Sequence, residues 1–209
     1  MKYNFYLFDL DGTLTNSKEG IGNSLRYALD FLGVETKVEN ISPFIGPPMR
    51  YSFRNHFGMS EEMTEIAVKK YREYFAEKGI FENELYPGII EMLKRVKAGG
   101  ARTAMATSKV TEYAERIAVH FEIREYFDFI CGSEWSGGRS AKKEIISDTL
   151  KLFCATPERA VMFGDRKYDI IGAREAGIDG IGVSWGFGSI EELKEAGATV
   201  IINSPDEIL

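Results

Sequence analysis

The sequence has few of the residues that bind zinc or form disulfides. It contains two cysteines, Cys131 and Cys154, and two histidines, His56 and His120, in no metal or redox spacing. Two distant cysteines exclude a disulfide scaffold and suit a reducing compartment, so we expect a cytoplasmic protein. Because histidine and cysteine are so scarce, any metal ion is expected to have oxygen ligands.

Long apolar segments and an excess of positive charge are also missing. There is no run of roughly 18 apolar residues, and the apolar start of the chain is interrupted at Asp9. The sequence therefore predicts neither a membrane span nor a signal peptide. Its 26 Lys and Arg against 32 Asp and Glu give a net charge of −6. This balance argues against a nucleic-acid partner and against binding to a membrane surface.

The chain does contain enough apolar material for a buried core, since 44% of its 209 residues are hydrophobic and 28% are charged. Short apolar runs that stop abruptly predict strands buried on both faces. These runs cover residues 3–8, 103–106, 127–131, 160–163, 180–183 and 199–202. Helical patterns lie at residues 87–97, 145–153 and 170–176, and a capped helix start follows at residue 204. The alternation predicts an α/β fold with a Rossmann-like parallel sheet covered by helices on both faces.

One interval is too long for a strand–helix–strand crossover. About 90 residues separate the first strand from the second, whereas a crossover unit needs ~30. Within it, one apolar stripe at helical spacing runs from Ile21 to Leu32 and ends at Gly33. Ser60 is a candidate cap for a second helix that ends at Gly79.

The extra segment is expected to form a domain of its own. We predict an inserted α-helical cap domain over residues 16–85 and an α/β core domain formed by residues 1–15 and 86–209. A cleft between two such domains is a natural place for a ligand. A monomer or a weak homodimer is the default expectation for the assembly.

Paired carboxylates follow the first predicted strand, in the segment Asp9-Leu10-Asp11-Gly12-Thr13. Ligands of open parallel sheets bind beyond the carboxyl ends of the strands, and alternation places Asp9 and Asp11 on one side, at least until the turn. Two neighbouring carboxylates repel unless they share a cation or a proton. An ordinary turn is the alternative, whereas a calcium loop is excluded because Leu14 and Gly20 occupy its required Gly and Glu positions.

Polar residues also follow two later predicted strands. Thr107 and Ser108 come just before a predicted helix, where they could cap the helix or hold a phosphate at its positive end. The segment Gly164-Asp165-Arg166-Lys167-Tyr168-Asp169 carries a second carboxylate pair, which could also be a capped helix start.

A lysine pair precedes a further predicted helix, which we expect to start near Glu144. It lies in the segment Gly137-Gly138-Arg139-Ser140-Ala141-Lys142-Lys143. A cation at a helix entrance could hold a substrate anion, although a lysine pair is also typical of solvated surface. From the residues alone, either Lys142 or Lys143 could be that cation.

Taken together, these segments resemble the haloacid dehalogenase superfamily of phosphohydrolases. The resemblance rests on Asp9-Leu10-Asp11-Gly12-Thr13, Thr107-Ser108, Lys142, and Gly164-Asp165 with Asp169, in that order and at strand ends. It covers essentially the whole chain, including the helical insertion after the first motif.

The resemblance implies a role for each of these residues. Asp9 would be the nucleophile that forms an aspartyl-phosphate, and Asp11 would be the general acid and base. Thr107 and Ser108 would hold the transferring phosphate. Lys142 would offset negative charge, because its position relative to the following helix fits the family better than that of Lys143.

The resemblance also implies a metal cofactor. Mg²⁺ would bind Asp9, the backbone carbonyl of Asp11 and Asp165, with Asp169 as a further ligand, directly or through water.

This sequence departs from the family pattern at two places. Arg166 follows Asp165 where many relatives carry Thr or Ser. The frequent Lys-Pro pair is also absent, since Lys142 is followed by Lys143. The first departure could change the hydrogen bonds around the general acid, and the second lies in the motif that contains Lys142. The presence of Asp11 disfavours carbon–halogen cleavage, because dehalogenating members lack this residue.

Among subfamilies, the chain most resembles phosphoglycolate phosphatases and the similar small 5′-nucleotidases. The stretch from Phe44 to Arg50 is similar to a loop that closes over substrate, in which Gly46 would permit close approach and Arg50 would contact a distal anion. Alternatively, Pro47 and Pro48 break a helix and Arg50 faces water.

The expected activity is thus hydrolysis of a small phosphomonoester, with a phosphoglycolate phosphatase as the first expectation and a 5′-nucleotidase as an alternative. A sugar phosphomutase is the alternative enzyme on the same fold. A non-catalytic binding module is disfavoured because Asp9 and Asp11 are both present. The alcohol half of the substrate stays open between glycolate, a nucleoside, a sugar and phosphate.

Overall fold

The structure is a computed structural model that describes residues 2–35, 40–135 and 141–208. The chain divides into two compact units. One comprises Met1–Asn16 and Leu85–Leu209, and the other comprises Ser17–Glu84. Among the described residues, no helix combines the length and the hydropathy that a bilayer span requires.

Strands and helices alternate along the first unit. The strands are β1 (Phe5–Phe8), β2 (Thr15–Asn16), β3 (Glu84–Leu85), β4 (Arg102–Val110), β5 (Phe129–Ser133), β6 (Ala160–Gly164), β7 (Asp179–Val183) and β8 (Val200–Ile202). The helices of this unit are α4 (Ile89–Ala98), α5 (Thr111–His120), α6 (Lys142–Phe153), α7 (Lys167–Glu175) and α8 (Ile190–Ala196). The short β2 and β3 pair with each other where the chain passes between the two units.

Six strands form one sheet in the order β5-β4-β1-β6-β7-β8, and every neighbouring pair is parallel. The predicted α/β fold with a parallel sheet is therefore confirmed. The first strand lies in the middle, with β4 on one side and β6 on the other. Such a change of direction in strand order leaves a crevice at the carboxyl ends of the strands, which is where ligands of open α/β sheets bind.

The central strand is buried on both faces because its side chains alternate between two apolar layers. Leu7 packs in a core with Ile145 and Ile146 of α6. On the opposite face Phe8 stacks on Phe163, with ring centroids 5.0 Å apart. Full burial of these side chains fixes the register of β1, and with it the position of the residue that follows the strand.

The second unit is helical. It contains α1 (Lys18–Phe31), α2 (Met49–Phe57) and α3 (Glu61–Tyr74), followed by a π-turn at Phe75–Gly79. Ser60 caps α3 as predicted, accepting a hydrogen bond from the Met63 amide at 3.3 Å. Gly33, with φ of +65°, follows α1.

Gly33 suits the left-handed backbone conformation at the end of α1, whereas Gly79 is required by a close contact with α1. A Cβ at Gly20 of α1 would lie 1.9 Å from the Gly79 carbonyl oxygen, and one at Gly79 would lie 2.5 Å from Ser24 Oγ. The two backbones touch here, so glycine is required by close approach rather than by backbone conformation.

Several predicted boundaries were wrong. Residues 107–108 do not immediately precede a helix, because β4 continues to Val110 through a bulge and α5 starts at Thr111. Helix α6 starts at Lys142 rather than near Glu144. The predicted capped helix start at Ser204 is confirmed, with Ser204 and Glu207 forming a capping box, and the helix that it opens is a single 3₁₀ turn, Pro205–Glu207. The stretch after Pro48 is not a loop, since α2 begins at Met49.

The contact between α1 and the π-turn predicts opposite behaviour for two glycines of one helix. Gly20→Ala should lower the free energy of unfolding by about 1–3 kcal/mol, because backbone cannot yield to the new methyl group. Gly22→Ala should change it by less than about 1 kcal/mol, because a Cβ there meets flexible side chains, Ile41 at 3.3 Å and Arg26 at 3.7 Å, and alanine favours the helix. Urea unfolding of both variants measures the difference, and equal effects would contradict the close approach.

Candidate active site

Asp9 lies immediately beyond β1, at the carboxyl edge of the sheet. Its amide donates to the Phe163 carbonyl at 2.9 Å, which extends the pairing of β1 with β6 by one residue. The chain then turns, with the Gly12 amide donating to Thr15 O at 2.7 Å. Asp9 is buried, so its carboxylate is fixed where the strand delivers it.

Three carboxylates meet at this edge. Oxygen atoms of Asp9, Asp165 and Asp169 all lie within 4.8 Å of one another, and all three residues are buried. We call these three residues the acid cluster. Asp165 follows β6 and Asp169 lies in the first turn of α7, so the middle of the sheet brings together residues more than 150 positions apart.

Lys142 is the cation of the acid cluster. Its Nζ lies 2.8 Å from Asp9 Oδ1 and 2.8 Å from Asp169 Oδ1, and it donates to the Ala106 carbonyl at 3.2 Å. Burial alone would lower the pKa of the Lys142 amine, but Asp169 and Asp9 outweigh it, so the pKa lies above its usual value. Lys143 is exposed, so of the two lysines it is Lys142 that the structure brings to the cluster.

One ammonium does not offset three buried carboxylates. Burial, Asp169 and Asp9 together raise the pKa of Asp165 well above its usual range. Burial and Asp9 raise the pKa of Asp169 to about 6, against the opposing effect of Lys142. A divalent cation among these oxygens would remove the repulsion, and carboxylate oxygens are the ligands that Mg²⁺ prefers. The residues present therefore fit a hard divalent ion.

A loop that the sequence analysis did not single out holds Asp165 in place. The Phe187 amide donates to Asp165 Oδ2 at 2.8 Å, and Thr13 Oγ1 lies 3.5 Å from Oδ1. The Trp185 indole donates to the Thr13 carbonyl at 3.0 Å, which ties this loop to the turn after β1. The sequence signal was the pair of glycines around Phe187, in Trp185-Gly186-Phe187-Gly188.

Glycines make room for this packing. A Cβ on Gly12 would lie 2.1 Å from Asp165 Oδ2, and one on Gly186 would lie 2.2 Å from Asp165 Cβ. Gly12 also has φ of +90°, a conformation that favours glycine. Asp165 is thus enclosed by backbone from two loops.

Arg166, the departure from the family pattern, has a defined partner. Its Nε donates to Glu192 Oε1 at 2.9 Å, and the Lys167 amide donates to the same oxygen at 2.9 Å. The Arg166 amide donates to Asp169 Oδ2 at 3.1 Å. Asp169 therefore both caps the start of α7 and belongs to the acid cluster. The carboxylate pair and the capped helix start predicted for this segment are thus both present.

Asp11 does not join the acid cluster with its side chain. Its Oδ2 lies 2.9 Å from Lys109 Nζ. Alternation places Asp9 and Asp11 on the same side only as far as the turn, and the turn after Leu10 gives each aspartate its own lysine. Lys109 was also missed by the sequence analysis, since a single lysine after Thr107-Ser108 gives no distinctive pattern.

Thr107 and Ser108 lie on the extended end of β4. Thr107 is buried and its Oγ1 accepts from the Lys109 amide at 3.3 Å, whereas Ser108 is half-buried. Thr107 adjoins Ala106, whose carbonyl contacts Lys142. The N-cap interpretation is wrong because α5 begins later, at Thr111.

The remaining predicted residues belong to the helical unit or fall outside the description. Arg50, in the first turn of α2, contacts Glu61 and Glu65 of α3, its Nη2 lying 3.0 Å from Glu65 Oε2. Gly46 has φ of +105°. The stretch Gly137-Gly138-Arg139-Ser140 lies outside the described residues.

Comparison with known proteins gives a family match across most of the chain. Residues 6–183 match the family model described as haloacid dehalogenase-like hydrolase. A crystal structure of a predicted phosphatase from Clostridium acetobutylicum superimposes with a TM-score of 0.94 at 43% identity, covering 99% of this chain and 96% of that one.

Two curated relatives carry different names. A protein of Pseudomonas aeruginosa named 5′-nucleotidase is 40% identical over 195 residues, 93% of this chain and 88% of the relative. A protein of Mycobacterium tuberculosis named tyrosine-protein kinase PtkA is 37% identical over 199 residues, 95% of this chain and 68% of the relative.

The raised carboxyl pKa values predict how Mg²⁺ affects stability. The fold favours the protonated form of Asp169 and Asp165, so the metal-free cluster contributes less stability as pH rises through about 6. Because Mg²⁺ binds the ionised form, millimolar Mg²⁺ should raise the Tm more at pH 8 than at pH 5.

Differential scanning fluorimetry at constant ionic strength measures this increment. Asp165→Asn should abolish it, whereas the exposed Glu62→Gln of the helical unit should leave it unchanged. An increment in Tm that is independent of pH, or that survives in Asp165→Asn, would contradict binding at the acid cluster.

Proposed function

Because the chain belongs to the haloacid dehalogenase-like hydrolase family, we propose that it is a Mg²⁺-dependent phosphomonoester hydrolase that works through an aspartyl-phosphate on Asp9. Its similarity to proteins named as a phosphatase and a 5′-nucleotidase supports a phosphatase that acts on phosphate esters. The finer assignment, which concerns residue roles, metal ion and substrate, is argued below from the site.

The observation that carries the proposal is the contact of Asp9 with Lys142. The Lys142 ammonium lies 2.8 Å from Asp9 Oδ1 in a buried place, so its positive charge reduces the repulsion that an incoming phosphate dianion meets. An ionised carboxylate held rigidly at the end of a strand is a competent nucleophile toward phosphorus.

In the first step Asp9 attacks phosphorus, the bond from phosphorus to the alcohol oxygen breaks, and Asp11 gives that oxygen a proton. In the second step the Asp11 carboxylate takes a proton from water, whose oxygen attacks the aspartyl-phosphate and releases phosphate and free Asp9. Thr107 and Ser108 hold the phosphoryl oxygens through hydroxyl and backbone donors at the end of β4.

Mg²⁺ would be held by Asp9 and Asp165, with the Asp11 carbonyl and Asp169 as further ligands. When bound it supplies positive charge that stabilises the phosphoryl oxygens in the transition state. The Phe187 amide and the glycines around Asp165 keep that carboxylate aimed into the cluster.

For the leaving group we favour a nucleoside over glycolate. The Pseudomonas relative's name supports a nucleoside monophosphate. Glycolate would bring a carboxylate that needs a cation, and Arg50, the residue proposed for it, already faces Glu61 and Glu65. Phosphoglycolate stays the competing substrate, and a sugar phosphomutase would be revealed by isomerised product without free phosphate.

A panel of phosphate esters tests the activity. Phosphate release from AMP, 2-phosphoglycolate, pyrophosphate, glucose 6-phosphate and ATP should require Mg²⁺, and AMP should exceed 2-phosphoglycolate by about tenfold in kcat/KM, or ~1.4 kcal/mol. Asp9→Asn should lower kcat by about 10³-fold or more while the Tm stays within a few degrees. Substantial turnover by Asp9→Asn would refute the covalent step, and the reverse order of substrates would assign glycolate.

The two adjacent lysines provide a matched test of the cation. Lys142→Met should lower kcat by about 10²-fold, because a buried charge beside the reacting groups is lost. Lys143→Met should leave kcat unchanged, since this side chain is exposed. Steady-state phosphate release measures kcat for both variants. Equal losses of kcat would exclude Lys142 as the neutralising group.

A further inference from the structure

We propose that Lys109 is the positioning residue that holds Asp11 in place as the proton donor to the leaving group. The inference deepens the proposed function and rests on it, since it presumes that Asp11 is the general acid. Lys109 lies outside all the motifs on which the family resemblance was based, and its role is argued from its contacts alone.

The contact between Lys109 and Asp11 is a buried ion pair. Lys109 Nζ lies 2.9 Å from Asp11 Oδ2, and the two side chains are only 7% and 13% exposed. Surface ion pairs are screened by water and weak, whereas removing one partner of a buried pair leaves an uncompensated charge. Lys109 is therefore placed to hold Asp11, unlike a lysine that extends into solvent.

The backbone of Lys109 is itself fixed. It lies in the bulge of β4, where the pairing with β5 shifts between Ala106 and Val110. Thr107 Oγ1 accepts the Lys109 amide at 3.3 Å, and the Lys109 carbonyl packs so closely on β5 that a Cβ at Gly132 would lie 2.3 Å from it. Bulges commonly re-aim a side chain next to an active site. Here the bulge directs Lys109 to Asp11.

The two aspartates of the segment Asp9-Leu10-Asp11 each contact a different lysine. Lys142 contacts Asp9 within the acid cluster, while Lys109 contacts Asp11 outside it. The ion pair thus holds the Asp11 carboxylate at a lysine outside the acid cluster.

The second oxygen of Asp11 completes the arrangement. Asp11 Oδ1 is buried and has no hydrogen-bond partner among the described residues. With Oδ2 held by Lys109, Oδ1 is the oxygen placed to exchange a proton with the leaving group. When that proton passes to the alcohol oxygen as its bond to phosphorus breaks, the resulting carboxylate is stabilised by the Lys109 ammonium.

Leaving groups of different basicity test this role. Phenyl phosphate and 4-nitrophenyl phosphate have similar shapes, but only the more basic phenolate depends strongly on protonation. Lys109→Met should lower kcat about tenfold for phenyl phosphate and less than threefold for 4-nitrophenyl phosphate, since general acid catalysis contributes about 10²–10⁴-fold in all. Lys109→Arg should recover part of the loss, and the exposed Lys94→Met is the control, expected to be unchanged.

The double variant Asp11→Asn/Lys109→Met separates positioning from structural damage. Because Lys109 acts through Asp11, adding Lys109→Met to Asp11→Asn should cause no further loss of kcat. It also removes both buried charges, so it keeps the test valid if Lys109→Met alone folds poorly. A further loss in the double variant, or equal losses by Lys109→Met on both substrates, would overturn the inference.

Failure of the inference and failure of the proposed function give different results. Asp11→Asn should by itself lose far more activity on phenyl phosphate than on 4-nitrophenyl phosphate. If it does and Lys109→Met does not, Asp11 is the acid and Lys109 does not position it. If Asp11→Asn loses equally on both, the proposed acid role fails, and the inference that rests on it is overturned too.

Discussion

Carboxylates buried side by side repel one another, and the acid cluster is organised around that repulsion. Asp9, Asp165 and Asp169 converge because three chain segments end at the middle of one parallel sheet. Lys142 offsets part of their charge and leaves a demand for a further cation. The same unmet demand that makes the cluster costly in the metal-free chain is what would let it bind Mg²⁺ and a phosphate.

Holding such a cluster together requires close backbone packing. Gly12 and Gly186 leave no space for side chains beside Asp165, and the Phe187 amide contributes a hydrogen bond from the chain itself. Arg166, through Glu192, ties the start of α7 to the first turn of α8 beside that loop. The rigidity of the site therefore comes from its loops as much as from the sheet.

The sheet and the acid cluster could be predicted because each depends on local pattern. Buried strands such as β1 are apolar without a break, and Asp9 and Asp165 directly follow such runs. Of the partners of these groups, Lys142 was anticipated, whereas Lys109 and the loop around Phe187 were not, because a single lysine or glycine carries no periodic signal. Lys109 owes its place to a bulge, and Phe187 acts through a backbone amide that any residue possesses.

The central claim is that one divalent ion binds the acid cluster, and anomalous diffraction from crystals grown with Mn²⁺ in place of Mg²⁺ tests it most directly. The account predicts one strong peak within about 2.3 Å of carboxylate oxygens of both Asp9 and Asp165. A fully occupied peak elsewhere, with none between these two side chains, would contradict it.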